Sequence, residues 1–172
     1  MGWTQLKLFD GKSTTQHGGS LSIGRRKSER PLSTRKPIHL TLRSSRAKGA
    51  WSLRRFKDGI RKLAEKVATR WGIKIYSLTV NGNHLHVVIR IGNRKCFQNF
   101  LRVFSGQVAM KVTGSKKGKP NRGGRFWDLL AWTRIAEWGK AFRALKGYVL
   151  QNELEAAGVI PYQPRKRRVL LR

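Results

Sequence analysis

IKIYSLTVNGNHLHVVIRI, residues 73–91, decides the fold. Two runs rich in β-branched and aromatic residues flank NGN, and Asn81-Gly82 is the dipeptide that a two-residue type I′ hairpin demands, because both of its central residues need positive φ. The stretch is therefore expected to form two antiparallel strands, with Val80 opposite Asn83, Thr79 opposite His84, Ser77 opposite His86 and Ile75 opposite Val88. Side chains alternate along a strand, so His84, His86, Val88 and Arg90 share one face and Leu85, Val87, Ile89 and Ile91 the other. The wholly apolar face must look toward a core. By the same alternation, Tyr76 is expected on the core side with Leu78 and Val80.

Working outward, IHLTLR (38–43) alternates as a half-buried strand, with His39, Thr41 and Arg43 on one side. Leu53, Phe56, Ile60, Leu63, Val67 and Trp71 recur at helical spacing up to a stop at Gly72. Phe97, Phe100, Leu101, Phe104, Val108 and Val112 mark a second amphipathic helix, which ends before the Gly- and Lys-rich loop GSKKGKPNRGG (114–124). FWDLLAWTRI (126–135) reads as a further strand, and a third helix is expected from about Trp138 to Gly158. Residues 1–36 have no sustained period and read as a basic flexible arm, 37–162 as the domain, and 163–172 as a basic tail. The order β-α-β-β-α-β-α implies an α+β protein: a single antiparallel sheet with helices on both faces.

Thirty-eight Lys and Arg against eight Asp and Glu give a formal charge of +30, which repels itself unless a polyanion is the usual companion. Nucleic acid is the expected partner. One cysteine, Cys96, excludes an internal disulfide framework and a Cys-rich zinc site. With no apolar run near the ~18 residues of a membrane span, a cytoplasmic chain is expected.

Two imidazoles at i and i+2 on one strand face can both reach one metal ion, although His-x-His is also what two ordinary polar residues on an exposed strand look like. What converges on them decides between the two. On the third helix, at about 100° per residue, Tyr148 and Asn152 lie one turn apart on the same edge, with Gln151 farther round toward solvent. Tyr148 has its own bland reading, a core-edge tyrosine with a satisfied hydroxyl.

Taken together, Asn-His-Leu-His on a strand followed by Tyr148 and Asn152 on a downstream helix resembles the HUH single-tyrosine transposases, named for histidine, hydrophobic residue, histidine. Within them the Tyr-x-x-x-Asn helix is most similar to the REP-associated tyrosine transposases. The resemblance spans about residues 37–160 and implies the ferredoxin- or RRM-like HUH endonuclease fold. It also implies a metal-dependent nuclease and strand transferase on single-stranded DNA, working through a 5′-phosphotyrosine. Carried over, Tyr148 is the nucleophile, and His84, His86 and Asn152 hold a divalent metal. Three neutral ligands leave the ion its full charge, and Mg²⁺ or Mn²⁺ is the expected occupant. Gly147, directly before Tyr148, departs from good helix chemistry by about 1 kcal/mol relative to Ala.

For the DNA itself, the resemblance and the charge suggest a hairpin beside a single-stranded cleavage site. Arg25, Arg26 and Lys27 of the arm, Lys116, Lys117, Lys119 and Arg122 of the loop, and His39 and Arg43 of the first strand are the expected phosphate contacts. Monomer and homodimer both remain open. The competing class is a non-catalytic basic RNA- or DNA-binding protein on a ferredoxin-like sheet, which explains the charge and the fold but not a tyrosine facing two histidines.

Overall fold

In the computed structural model, residues 15–116, 118–119 and 124–161 are described. A five-stranded antiparallel sheet runs in the order β1-β5-β2-β4-β3, built from β1 (Gln16–His17), β2 (Ile38–Arg43), β3 (Lys74–Val80), β4 (His84–Arg90) and β5 (Trp132–Ile135). Three helices accompany it: α1 (Lys57–Arg70), α2 (Arg94–Thr113) and α3 (Lys140–Ala157). The α+β order read from the sequence is present, with one additional strand.

The apolar face of the sheet behaves as its alternation requires. Ile38, Leu40 and Leu42 of β2 and Leu85, Val87 and Ile89 of β4 are buried together with Ile60, Ala64 and Val67 of α1 and Phe97, Phe100, Phe104 and Val108 of α2. Truncating a fully buried phenylalanine such as Phe100 would cost about 3–5 kcal/mol, so this layer fixes the sheet. Asn93 caps α2, its Oδ1 accepting from Cys96 N at 2.8 Å, and Gly114 ends it in the left-handed region at φ 71°. Leu53 and Phe56, expected in the first helix, instead lie in a short 3₁₀ turn, Leu53–Phe56, preceded by another at Gly49–Trp51.

Helix α3 covers the opposite face. Val149 is fully buried against that face, and Thr79 Oγ1 donates to the Val149 carbonyl at 3.0 Å. Glu153 reaches round the β3 edge to pair with Arg61 and, at 3.2 Å, with Lys57 of α1. These contacts hold α3 against β3. Among the described residues, no helix is long and apolar enough to cross a membrane.

Three further expectations need correction. The hairpin register is displaced: Val80 pairs with Leu85, Thr79 with His86 and Ser77 with Val88, while Asn81 N–H donates to His84 O at 2.9 Å. The loop residues are therefore Gly82 and Asn83, and neither has the positive φ of a type I′ turn. Outside bonds hold the turn in this form: the Gly82 carbonyl accepts from Leu53 N at 2.8 Å and the Asn83 carbonyl from Ser44 N at 2.9 Å. Second, a bulge between Ile75 and Ser77 sends Tyr76 to the α3 side, where its ring packs edge-on against Trp138 and Phe142 at 5.7 and 5.4 Å. Third, part of the stretch read as a flexible arm is packed. Gln16 and His17 pair with Arg134 and Thr133, and Arg30 donates to the Ala131 carbonyl and Thr133 Oγ1 at 2.7 Å each.

Candidate active site

Strand register assembles the site. On the face under α3, Arg43 and Thr41 of β2 stand opposite His84 and His86 of β4, and Thr41 and His39 stand opposite Trp132 and Arg134 of β5. One patch therefore holds three of the chain's four histidines. The His84 and His86 rings are 4.8 Å apart and nearly perpendicular, and His39 lies 5.1 Å from His86. Tyr148 of α3 stands edge-on over the cluster, its ring 5.6 Å from His86 and 6.3 Å from His39. With His86 buried and His84 half-buried, the His-x-His pair is no exposed polar doublet.

Each imidazole has a defined hydrogen-bond setting. His84 Nδ1 meets Asn83 Oδ1 at 2.7 Å, and Asn81 Nδ2 meets His84 Nε2 at 2.7 Å. If Nδ1–H donates to the asparagine oxygen, Nε2 carries the lone pair. His86 Nδ1 is 3.0 Å from His39 Nε2 and 3.2 Å from Thr41 Oγ1. His86 Nε2 is buried and has no hydrogen-bond partner among the described residues, and Asn81 Oδ1 is in the same condition. An orphaned buried imidazole nitrogen costs free energy unless a partner arrives from outside.

Electrostatics keep the cluster neutral. Burial, with the His39 and His84 charges adding to it, pushes His86 down to about 3, and burial with Arg134 nearby pushes His39 down to about 4. His84 is lowered by burial and by the Arg43 guanidinium. At neutral pH all three are uncharged imidazoles, which is the form that binds metal.

The donor set fits a divalent cation on one observation above the others, the bare buried Nε2 of His86 beside a second neutral imidazole. Among the described residues, no three His, Cys, Asp or Glu side chains form a preformed metal cage, and a carboxamide is another ligand type available nearby. Asn152 is of that type and lies one turn beyond Tyr148 on α3, where its Nδ2 donates to the Tyr148 carbonyl at 2.7 Å. Gln151 Nε2 instead donates to Glu155 Oε1 at 3.1 Å.

Of the residues expected to bind DNA, Arg43 lies at the rim of this patch and is exposed. His39 is buried, at 5% exposure, with the rings of His86, Trp132 and Tyr148 around it. Arg25, Arg26, Lys27, Lys116 and Lys119 are exposed, while Lys117 and Arg122 lie outside the described residues. Gly147 also faces open space, since a Cβ there would meet nothing within 4 Å.

Sequence reasoning passed over a cleft of about 670 Å³ beside Tyr148, lined by Trp132, Arg134, Ala141, Ala144 and Leu145 together with His39 and His86. Its signal was the alternation in WTRI, which puts Trp132 and Arg134 on one side of β5 and register-pairs them with Thr41 and His39.

Residues 34–136 match the family model described as transposase, IS200-like. The match takes in β2 to β5 and both core helices but stops short of Tyr148. A crystal structure of a candidate transposase from Deinococcus radiodurans R1 is similar at a TM-score of 0.43 and 15% identity, covering 74% of this chain and 98% of that one. No curated protein matches the sequence. With more than half of its length matched to the family model, and its histidine strand inside the match, the chain belongs to the IS200-like transposase family.

Proposed function

We propose that this transposase nicks and rejoins single-stranded DNA through a covalent tyrosine intermediate, with Tyr148 as nucleophile and His84, His86 and Asn152 holding a divalent metal. The observation that carries the reading is the Tyr148 ring standing 5.6 Å from a buried histidine whose Nε2 has no partner among the described residues. A tyrosine hydroxyl has a pKa of about 10 and attacks poorly at neutral pH. A bound Mg²⁺ or Mn²⁺ would supply positive charge that favours the phenolate and polarises the phosphoryl oxygen.

The chain's own residues do the rest. α3, held by Thr79 and Glu153, presents Tyr148 at the cleft mouth. Tyr148 Oη bonds to phosphorus, the bond from phosphorus to the 3′-oxygen breaks, the phenol proton is lost and the leaving oxygen gains one, giving a 5′-phosphotyrosine and a free 3′-hydroxyl. Attack by a 3′-hydroxyl on that phosphotyrosine reverses the step and joins strands without a nucleotide cofactor. Arg43, whose charge is felt by His84, would steady the phosphate.

The Tyr-x-x-x-Asn helix favours the REP-associated subtype, whose substrate would be a hairpin with a nearby single-stranded cleavage site. Arg25, Arg26 and Lys27, exposed ahead of β2, would grip the stem with Lys116, Lys117, Lys119 and Arg122. The open side at Gly147 leaves room for a DNA backbone to pass beside the nucleophile. The test is incubation with labelled single-stranded oligonucleotides and Mn²⁺ or Mg²⁺, followed by denaturing electrophoresis. A metal-dependent protein-DNA adduct is expected, and DNA binding without any adduct on hairpin-bearing substrates would return the chain to the class of non-catalytic binding proteins.

A further inference from the structure

We infer that His39 is a positioning residue: its Nε2 receives the Nδ1 proton of His86 and so leaves His86 Nε2 bare and turned toward the metal. The inference rests on the metal-site reading above and assigns His39 a role other than phosphate contact.

Register brings the two rings together. Thr41 sits directly across from His86, and His39, two residues back on the same face of β2, is its diagonal neighbour. The diagonal contact is closed by the bond from His39 Nε2 to His86 Nδ1 at 3.0 Å, with Thr41 Oγ1 at 3.2 Å from the same nitrogen. Trp132 of the neighbouring strand on the other side stands edge-on to His39 at 5.3 Å.

Two neutral imidazoles that share one hydrogen bond must adopt complementary tautomers, one donating and one accepting. If His86 accepted at Nδ1, its proton would sit on Nε2, which is buried and finds no partner among the described residues. A buried orphan N–H is costly, whereas a bare lone pair in the same place is a ligand awaiting a cation. Thr41 cannot enforce the choice, because a hydroxyl donates as readily as it accepts. His39 in its Nδ1–H form offers only a lone pair at Nε2 and selects the ligand tautomer of His86.

The test compares His39→Gln, His39→Phe and His86→Ala with the unaltered chain, each checked for its fold by circular dichroism. The Gln carbonyl can still accept near the Nε2 position, and Phe keeps the ring volume without an acceptor. Mn²⁺ affinity is read from the electron paramagnetic resonance signal of the free ion, and the His86 tautomer from long-range proton-nitrogen NMR of the metal-free protein. Expected are a 10- to 100-fold weaker Mn²⁺ affinity for His39→Phe, recovery to within a few-fold in His39→Gln, and a His86 that is Nδ1-protonated in both the unaltered and the Gln proteins. Metal-free affinity for a single-stranded oligonucleotide should stay unchanged in His39→Phe.

Unaltered Mn²⁺ affinity in His39→Phe, with loss in His86→Ala, would overturn the positioning role and leave the metal site standing. Equal losses in His39→Gln and His86→Ala would overturn it too, by making His39 a ligand. Indifference of Mn²⁺ affinity to His86→Ala would remove the metal site and this inference together.

Discussion

Burying uncharged imidazoles makes the fold sensitive to acid, by an amount that the site fixes. His39 is lowered to about 4 and His86 to about 3, both from an ordinary value of 6.5. Above pH 6.5 neither the folded nor the unfolded chain holds these protons, and the two sites add no pH dependence. Below 6.5 the unfolded chain takes them up while the folded chain refuses them, so stability falls as pH drops, until the folded values near 4 and 3 are reached. At about pH 5 both native sites are still neutral, so each costs about 2 kcal/mol relative to pH 7.5, or about 4 kcal/mol together. His84, lowered as well, adds to the loss in the same direction. A total near 4 kcal/mol is a large share of a typical domain stability of about 5–15 kcal/mol. Urea unfolding at constant salt and with chelator, at pH 7.5 and 5, measures it. In a His39→Gln/His86→Gln double variant the acid loss should shrink by about 4 kcal/mol. An acid loss of the same size in the double variant would refute the neutral buried cluster.

Two further outcomes follow from the site. Asn152→Ala should lose cleavage, with partial recovery at high Mn²⁺, whereas Gln151→Ala, whose partner is Glu155, should cleave normally; cleavage rates at saturating DNA decide, and a dead Gln151 variant would reassign the ligand. Replacing Arg25, Arg26 and Lys27 together with Ala should flatten the salt dependence of hairpin binding by about two to three units of log affinity per decade of salt, with the cleavage rate at saturation almost intact. An unchanged slope in a salt titration of that triple variant would end the role of this segment in binding DNA.

The sheet and its core helices were legible because they rest on long periodic patterns. Phe97 to Val112 at helical spacing and Leu85 to Ile89 at strand spacing each bury one face, and in the strand a slip of one residue would expose every member. What escaped were features set by contacts distant in sequence. The Asn81-Gly82 signal was outweighed by Leu53 and Ser44, whose amides take the turn carbonyls, and the hairpin register moved with the turn. Period-two reading cannot see a bulge, so Tyr76 was placed on the wrong side. β1 has only two residues, too few to carry any period, and exists because the edge of β5 accepts it. Spacing showed that His84 and His86 share one strand face and that Tyr148 and Asn152 share one helix edge; that Tyr148 meets the histidines came from the resemblance, and their rings lie together in the fold. His39 joins them only through the β2 to β4 register, which no local pattern announces.

On the proposed mechanism Tyr148 becomes covalently joined to DNA. Its most direct measurement is protease digestion of the adduct formed on a hairpin-bearing single strand with Mn²⁺, followed by mass spectrometry of the nucleotide-bearing peptide. Expected are a 5′-linked nucleotide on the peptide containing Tyr148 and no adduct from Tyr148→Phe, which should bind the same DNA with nearly unchanged affinity. An adduct mapped to Tyr76 or Tyr162, or one that persists in Tyr148→Phe, would contradict it.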